Sequence, residues 1–279
     1  MAFTAAQVKG KIKSLAAKNG TDPRVLMRMY MMERFLERVS ASQYQENFII
    51  KGGILVSSMV GVSMRSTMDI DTSIRNRELT LENAVKTVQA IADINIDDNV
   101  VFTVKNSETI MDEAEYPGIR ISLDAVMEQM TTPVKVDIST GDVITPRAVE
   151  YQYPLLLEDR KIRLWSYNLE TVLAEKIQTV LVRERANTRM RDFYDLYMLS
   201  KVYAHEIDPT VLMSAFKATC EKRESLFLIG NESEIVSNIE KHSELSDLWT
   251  QYQKRFSYAS EISYQETINS IKKLLALIE

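Results

Sequence analysis

Asp69 and Asp71 stand two residues apart, sixteen and eighteen residues after the second member of a glycine pair, Gly52-Gly53. In an extended segment, residues two apart project from one face, so these carboxylates stand side by side. Parallel carboxylates repel each other, and a divalent cation, most often Mg2+ shared with substrate phosphates, relieves the repulsion. The glycine pair suits the phosphates themselves. It lacks the side chains that would keep a triphosphate from backbone N–H groups and a helix N-terminus. Together these residues point to a phosphate turn beside a metal site, and so to chemistry on a nucleoside triphosphate.

A third acid, Asp137, alternates with Val134, Val136 and Ile138, and therefore faces away from them in a strand over 134–140. Two readings fit it: an exposed residue of an edge strand, or a third carboxylate of the metal site, as two-metal phosphoryl transfer would use. Further along, Lys176 borders the apolar stripe of a helix, where its stem can carry the ammonium toward a cleft. Asp192 and Asp195 are three apart and share a face of the next helix. Residues 176–201 hold six basic and three acidic side chains. A solvated helical hairpin gives that count, and so does a polyanion-binding patch on Arg183, Arg185, Arg189 and Arg191. His205 and His242 have no partner at ligand spacing, which argues against zinc.

The elements that must position these residues follow from periodicity and caps. Phe48-Ile49-Ile50, Lys51-Gly52-Gly53 and the apolar run to Val60 predict strand, turn and helix, and residues 67–74 a strand carrying Asp69 and Asp71. Thr4 and Gln7 have capping-box spacing, and Asp22-Pro23 opens a second helix whose Arg28, Arg34 and Arg38 lie off its apolar face. Residues 1–50 carry eight basic and four acidic side chains, enough for RNA contact but also ordinary for a solvated face. A helix is predicted over 80–95, then strands over 100–105, 118–127 and 134–140, the last two separated by a polar stretch with Pro133. A hairpin around Glu158-Asp159-Arg160 ends the sheet, and everything beyond Asn168 reads as helix. The expected architecture is α/β (α+β). A mixed sheet flanked by helices fills residues 1–165, and a helical lobe, 166–279, completes a cleft.

Composition limits the function. The chain's 279 residues, 45% hydrophobic, suffice for a sizeable core, and a net charge of −5 excludes a global polyanion-binding field. Nucleic acid would have to be held by a local patch. The lone Cys220 excludes an internal disulfide, and the absence of a long apolar run predicts a cytoplasmic protein without membrane contact.

Glycine pair, helix, Asp-x-Asp and a lone Asp in a later strand, in that order, resemble the DNA polymerase β-type nucleotidyltransferase superfamily. Within it, Arg65-Ser66-Thr67-Met68-Asp69-Ile70-Asp71, Ala174-Glu175-Lys176 and Arg189-Met190-Arg191-Asp192-Phe193-Tyr194-Asp195-Leu196 resemble the AbiE abortive-infection toxins (AbiEii-like), nucleotidyltransferase-like members of bacterial type IV toxin–antitoxin pairs. Two positions depart from the pattern. Gly53 stands where serine is frequent, and Arg191 where lysine is usual, a fork in place of a point charge.

The resemblance implies that Gly52 and Gly53 hold the triphosphate, with Arg65, Thr67, Arg191 and Asp195 also in nucleotide binding. It implies Mg2+ on Asp69, Asp71 and Asp137, and a catalytic set of Asp69, Asp71, Lys176 and Asp192. Lys176 would neutralise phosphate charge, and Asp192 would position it or the nucleotide. The implied reaction transfers a nucleoside monophosphate from NTP to an RNA hydroxyl, a tRNA 3′ end, and so arrests growth against phage. A monomer is expected, with a cognate antitoxin that opposes it without a stable complex. Transfer to a protein or small molecule, or NTP binding without catalysis, are the alternatives.

Overall fold

Residues 2–111 and 117–278 are described by the computed structural model of the chain. Its backbone divides into two units, Met1–Asp142 with Val149–Ser166, and Val143–Ala148 with Tyr167–Glu279.

The first unit holds helices α1 (Ala5–Asn19), α2 (Pro23–Ala41), α3 (Gly52–Val60) and α4 (Leu81–Ala92), and strands β1 (Phe48–Lys51), β2 (Ile70–Ile74), β3 (Val101–Met111), β4 (Pro117–Met127), β5 (Met130–Thr140), β6 (Val149–Pro154) and β7 (Lys161–Ser166). Local signals start the helices. Thr4 and Gln7 close a capping box on α1, Asp22 caps α2 ahead of Pro23, and Thr80 caps α4. Each such cap contributes about 1 kcal/mol.

The strands form one mixed sheet in the order β3-β4-β5-β2-β1-β7-β6. β2 runs parallel to β5 and β1 parallel to β7, whereas the other four pairings are antiparallel. Alternation sorts its faces. Phe48, Ile50, Ile70, Val134, Val136 and Ile138 are fully buried on one face, the side on which α2 packs over β5 and β7. Phe35 of α2 meets Phe102 of β3 edge-on, centroids 5.7 Å apart. Burying each such side chain stabilises the fold by roughly 1.5–3 kcal/mol. The opposite face carries the polar residues between them.

Three expectations require correction. Asp69 lies in a bend, and β2 begins only at Ile70. Pro133 is no linker residue: β4 and β5 turn at Glu128-Gln129, with Met127 opposite Met130, and Pro133 pairs with Asp124 inside β5. There β2 no longer runs alongside, so the missing proline N–H breaks no bond to it. Glu128 takes the positive φ of 53° that this tight turn demands.

The third correction concerns Arg34 and Arg38, which are buried rather than solvated. Arg38 forks onto Asp98 at 2.7 and 2.8 Å and also donates to the Val100 carbonyl at 2.6 Å. Arg34 pairs with Glu37 at 2.8 Å and Glu158 at 3.1 Å. Both are committed to tying α2 to its surroundings and are closed to RNA. Beside them Glu33 is buried and accepts the Leu156 N–H at 2.9 Å. Burial pushes its carboxyl up to about 8, against the opposing pull of that N–H.

The second unit is helical: α5 (Leu169–Arg183), α6 (Met190–Val202), α7 (Pro209–Lys222), α8 (Glu232–Lys241), α9 (Ser243–Arg255) and α10 (Tyr264–Leu275). α5 packs on α7 and α6, and α6 on α10, around Leu173, Ile177, Phe193, Leu196 and Ile271. Cys220 is buried in α7. Among the described residues, no helix is long and apolar enough to cross a membrane.

Candidate active site

In the first unit the chemistry-bearing residues form a row. Glu108 on β3, Arg120 on β4, Asp137 on β5, Asp71 on β2 and Lys51 on β1 occupy successive register positions across five neighbouring strands. Residues directly opposite share a sheet face, so the row reads minus, plus, minus, minus, plus. At its centre two aspartates face each other across strands about 4.8 Å apart, an unfavourable pairing for two anions.

The flanking cations relieve it. Arg120 clamps Asp137 with both arms of its fork, Nε to Oδ1 at 2.8 Å and Nη2 to Oδ2 at 2.7 Å. These bonds to Asp137 raise the Arg120 pKa further. On the other side, Lys51 reaches Asp142 at 2.9 Å, and Ser139 donates to the same carboxylate oxygen at 2.6 Å. Burial alone would raise the Asp142 carboxyl, but the Lys51 ammonium and the serine hydroxyls hold it below its ordinary range.

The glycine turn ends on Asp71. Gly53 N–H donates to Asp71 Oδ2 at 2.9 Å, so this amide fixes the carboxylate. Gly52 has φ +54°, and a Cβ there would lie 2.8 Å from Asp71 Cγ and 2.9 Å from its Cβ. Both the dihedral and the space demand glycine. The Asp71 carboxyl is raised by burial, and further by Asp137 and Asp69, against the Gly53 N–H and Lys51 that favour its charged form.

Arg65 and Thr67 support this turn from behind. Arg65, 2% exposed, donates to the carbonyls of Gly53 at 3.1 Å and Ser66 at 2.9 Å. Thr67 is equally buried, and its hydroxyl donates to the Asp69 carbonyl at 3.4 Å. A Cβ on Gly53 would come within 2.6 Å of Thr67 Oγ1 and 2.8 Å of Arg65 Nη1. A side chain at position 53 would therefore require Thr67 and Arg65 to shift.

Oxygen ligands suit a hard cation, and the facing Asp71 and Asp137 with Asp69 beside them supply carboxylate oxygens only. In donor chemistry the set fits Mg2+. Among the described residues, however, no three acidic, histidine or cysteine side chains converge closely enough to hold a metal. Asp137 is the member turned away, toward Arg120.

The second unit holds its own cluster. Lys176 on α5 pairs with Asp192 at 2.8 Å and Asp195 at 2.7 Å, both on α6 and one turn apart. Asp195 is fully buried and the other two nearly so. Two carboxylates thus fix the ammonium in place. The start of α6 is set by Asn187, whose Oδ1 accepts the Arg189 N–H at 2.8 Å. Arg191 lies over the Phe256 ring, 5.4 Å from its centroid. Arg185 is largely exposed and 3.6 Å from Glu184, while Arg183 and Arg189 are only half-exposed.

Arg120 and Lys51 are the site residues that motif reading passes over. The signal for Arg120 is arithmetic: a two-residue turn at Glu128-Gln129 sets it opposite Asp137. Lys51 is found by pairing it with Asp71.

Residues 34–270 match the family described as nucleotidyl transferase AbiEii toxin, type IV TA system. No curated protein matches the sequence. Among solved structures, a protein described as a candidate nucleotidyltransferase from H. pylori is similar at TM-score 0.50 and 16% identity, covering 92% of this chain and 95% of that one. The Helicobacter pylori protein JHP933 aligns at 0.49 and 16%, covering 92% of each. An antigenic nucleotidyltransferase-like protein from Paracoccidioides brasiliensis aligns at 0.40 and 14%, covering 74% of this chain and 90% of that one.

Proposed function

The chain belongs to the AbiEii nucleotidyl transferase toxins of type IV toxin–antitoxin systems, and from that premise we propose that it transfers a nucleoside monophosphate from NTP to a hydroxyl of RNA, a tRNA 3′ end, and thereby arrests growth in defence against phage. The activity is that of a nucleotidyltransferase. The observation that supports the donor side is the in-register Asp71–Asp137 pair with a glycine turn bonded to Asp71.

Asp69 and Asp71 would hold Mg2+, with Asp137 as the third carboxylate; bound there, the ion supplies positive charge against the triphosphate. The Gly52-Gly53 turn admits the phosphates close to the backbone while Gly53 N–H keeps Asp71 aimed. Lys176, held in place by Asp192 and Asp195, is the cation for charge developing on the phosphates. The acceptor oxygen bonds to the α-phosphorus as the bond to pyrophosphate breaks. Arg183, Arg185, Arg189 and Arg191 form the patch assigned to RNA, since an acidic chain holds a polyanion only where cations are concentrated. The protein works in the cytoplasm as a monomer, opposed by a cognate antitoxin that forms no stable complex with it.

Incubation with each α-labelled NTP, Mg2+ and total cellular RNA tests the reading. Label in tRNA is the expected result. Label in protein or a small molecule would reassign the acceptor, and NTP binding without transfer would overturn catalysis.

A further inference from the structure

The fork of Arg120 occupies both oxygens of Asp137, one of three carboxylates that the cation reading needs together. A guanidinium bonded through two parallel N–H donors is the strongest partner a side chain offers a carboxylate. The pair is only partly exposed, 28% for Arg120 and 17% for Asp137, so solvent screens it little. Its register makes it durable, because Arg120 and Asp137 are directly opposite on adjacent strands joined by a two-residue turn. Glu108, opposite Arg120 on the far side, places a second anion in the guanidinium's field. Asp71, by contrast, is held by one backbone N–H and has Lys51, itself engaged with Asp142, as its nearest cation.

We infer that Arg120 is a positioning residue that stands in for the cation. It neutralises Asp137 in the resting protein and holds it off the metal site, then yields one oxygen when a divalent ion binds Asp69 and Asp71. The resting site is therefore a two-carboxylate site of low affinity, and full coordination comes with release of Asp137 from the fork. The inference rests on the cation reading of the same residues, and it concerns this chain's own side chains.

Mn2+ binding to the nucleotide-free protein, followed by electron paramagnetic resonance of the free ion, tests it with a readout independent of turnover. Removing the fork in Arg120→Gln frees Asp137 and should tighten Mn2+ about tenfold, the weight of one partly buried ion pair. Arg120→Lys retains the charge, and with it the fold, but holds one oxygen at most, so affinity should rise about threefold. Introducing Arg120→Gln into Asp137→Asn should give no gain, since the ligand to be released is gone. Parent-like affinity in Arg120→Lys, or a gain that persists without the Asp137 carboxylate, would show a mere field effect and overturn the inference, as would weaker binding in Arg120→Gln. If the parent bound no Mn2+ at all, the cation reading would fall and this inference with it.

Discussion

Replacing Gly52 by alanine separates the two demands that the turn makes on its first residue. A left-handed backbone costs a side chain about 1–2 kcal/mol, offset by roughly 0.4–1 kcal/mol from a stiffer unfolded chain. At Gly52 the added Cβ also lands 2.8 Å from Asp71 Cγ. Since that side chain is fixed by its bond to Gly53 N–H, the clash stretches the charge-assisted bond or tilts β2. Overpacking of this kind costs about 1–3 kcal/mol, giving a net loss of roughly 2–4 kcal/mol. For a unit of this size that is a fall in Tm of about 4–16 °C. Gly20 is the internal control. It ends α1 with φ +62° and has nothing within 4 Å of its would-be Cβ, so Gly20→Ala meets only the dihedral cost. Differential scanning calorimetry of both variants measures the difference, and Mn2+ titration shows whether Asp71 has moved. Equal Tm losses in the two variants would refute the argument that Asp71 dictates glycine at position 52.

Three further outcomes are expected. Glu33 keeps its proton to about pH 8 when folded but ionises near 4.5 when unfolded, so the folded chain binds the extra proton between those values and loses stability as pH rises through that window. Glu33→Gln should flatten the urea midpoint between pH 5 and 8.5, removing up to roughly 4 kcal/mol of pH dependence, and parallel profiles would refute it. Gly53→Ser, which restores the residue frequent in the family pattern, should destabilise by about 1–3 kcal/mol because Arg65 and Thr67 fill the space; a thermal melt as high as the parent's would contradict this. Arg185→Ala with Arg189→Ala should slow RNA labelling and lower the slope of binding against salt by up to about two, with NTP binding nearly unchanged. Unaltered labelling across the salt titration would move the RNA elsewhere.

What the sequence disclosed depended on the reach of each signal. Caps at Thr4 and Asp22 are local chemistry, and each helix begins there. Gly-Gly is likewise local, so the strand, turn and helix around it were readable along with the fold class. Register across strands is not local. Pro133 looked like a turn residue because a proline within a strand is rare; placing the turn there concealed both the Glu128-Gln129 hairpin and the Arg120–Asp137 pair that follows from it. Arg34 and Arg38 failed for another reason. Helical periodicity describes one apolar face, whereas α2 is covered on more than that face, and ion pairs with Asp98 and Glu158 supply what burial of the charges requires. The crowding of Gly53 by Arg65 and Thr67 is likewise non-local, and only the closeness of their atoms in the folded chain reveals it.

The parallel pairing of β2 with β5 also sets a timetable. Thr72 Oγ1 bonds to the Asp137 carbonyl across 65 residues of chain, and closing a loop of that length costs about 4 kcal/mol before any contact repays it. A ribosome adding about 5–20 residues per second exposes the glycine turn and β2 several seconds before Asp137 and its clamp can be threaded beside them. A nascent or prematurely terminated chain that ends short of β5 thus carries Asp71 but never the facing carboxylate. Truncation anywhere before β5 therefore leaves β2 without its parallel neighbour and the Asp71–Asp137 pair unformed, so this pairing is among the late, non-local steps in closing the sheet.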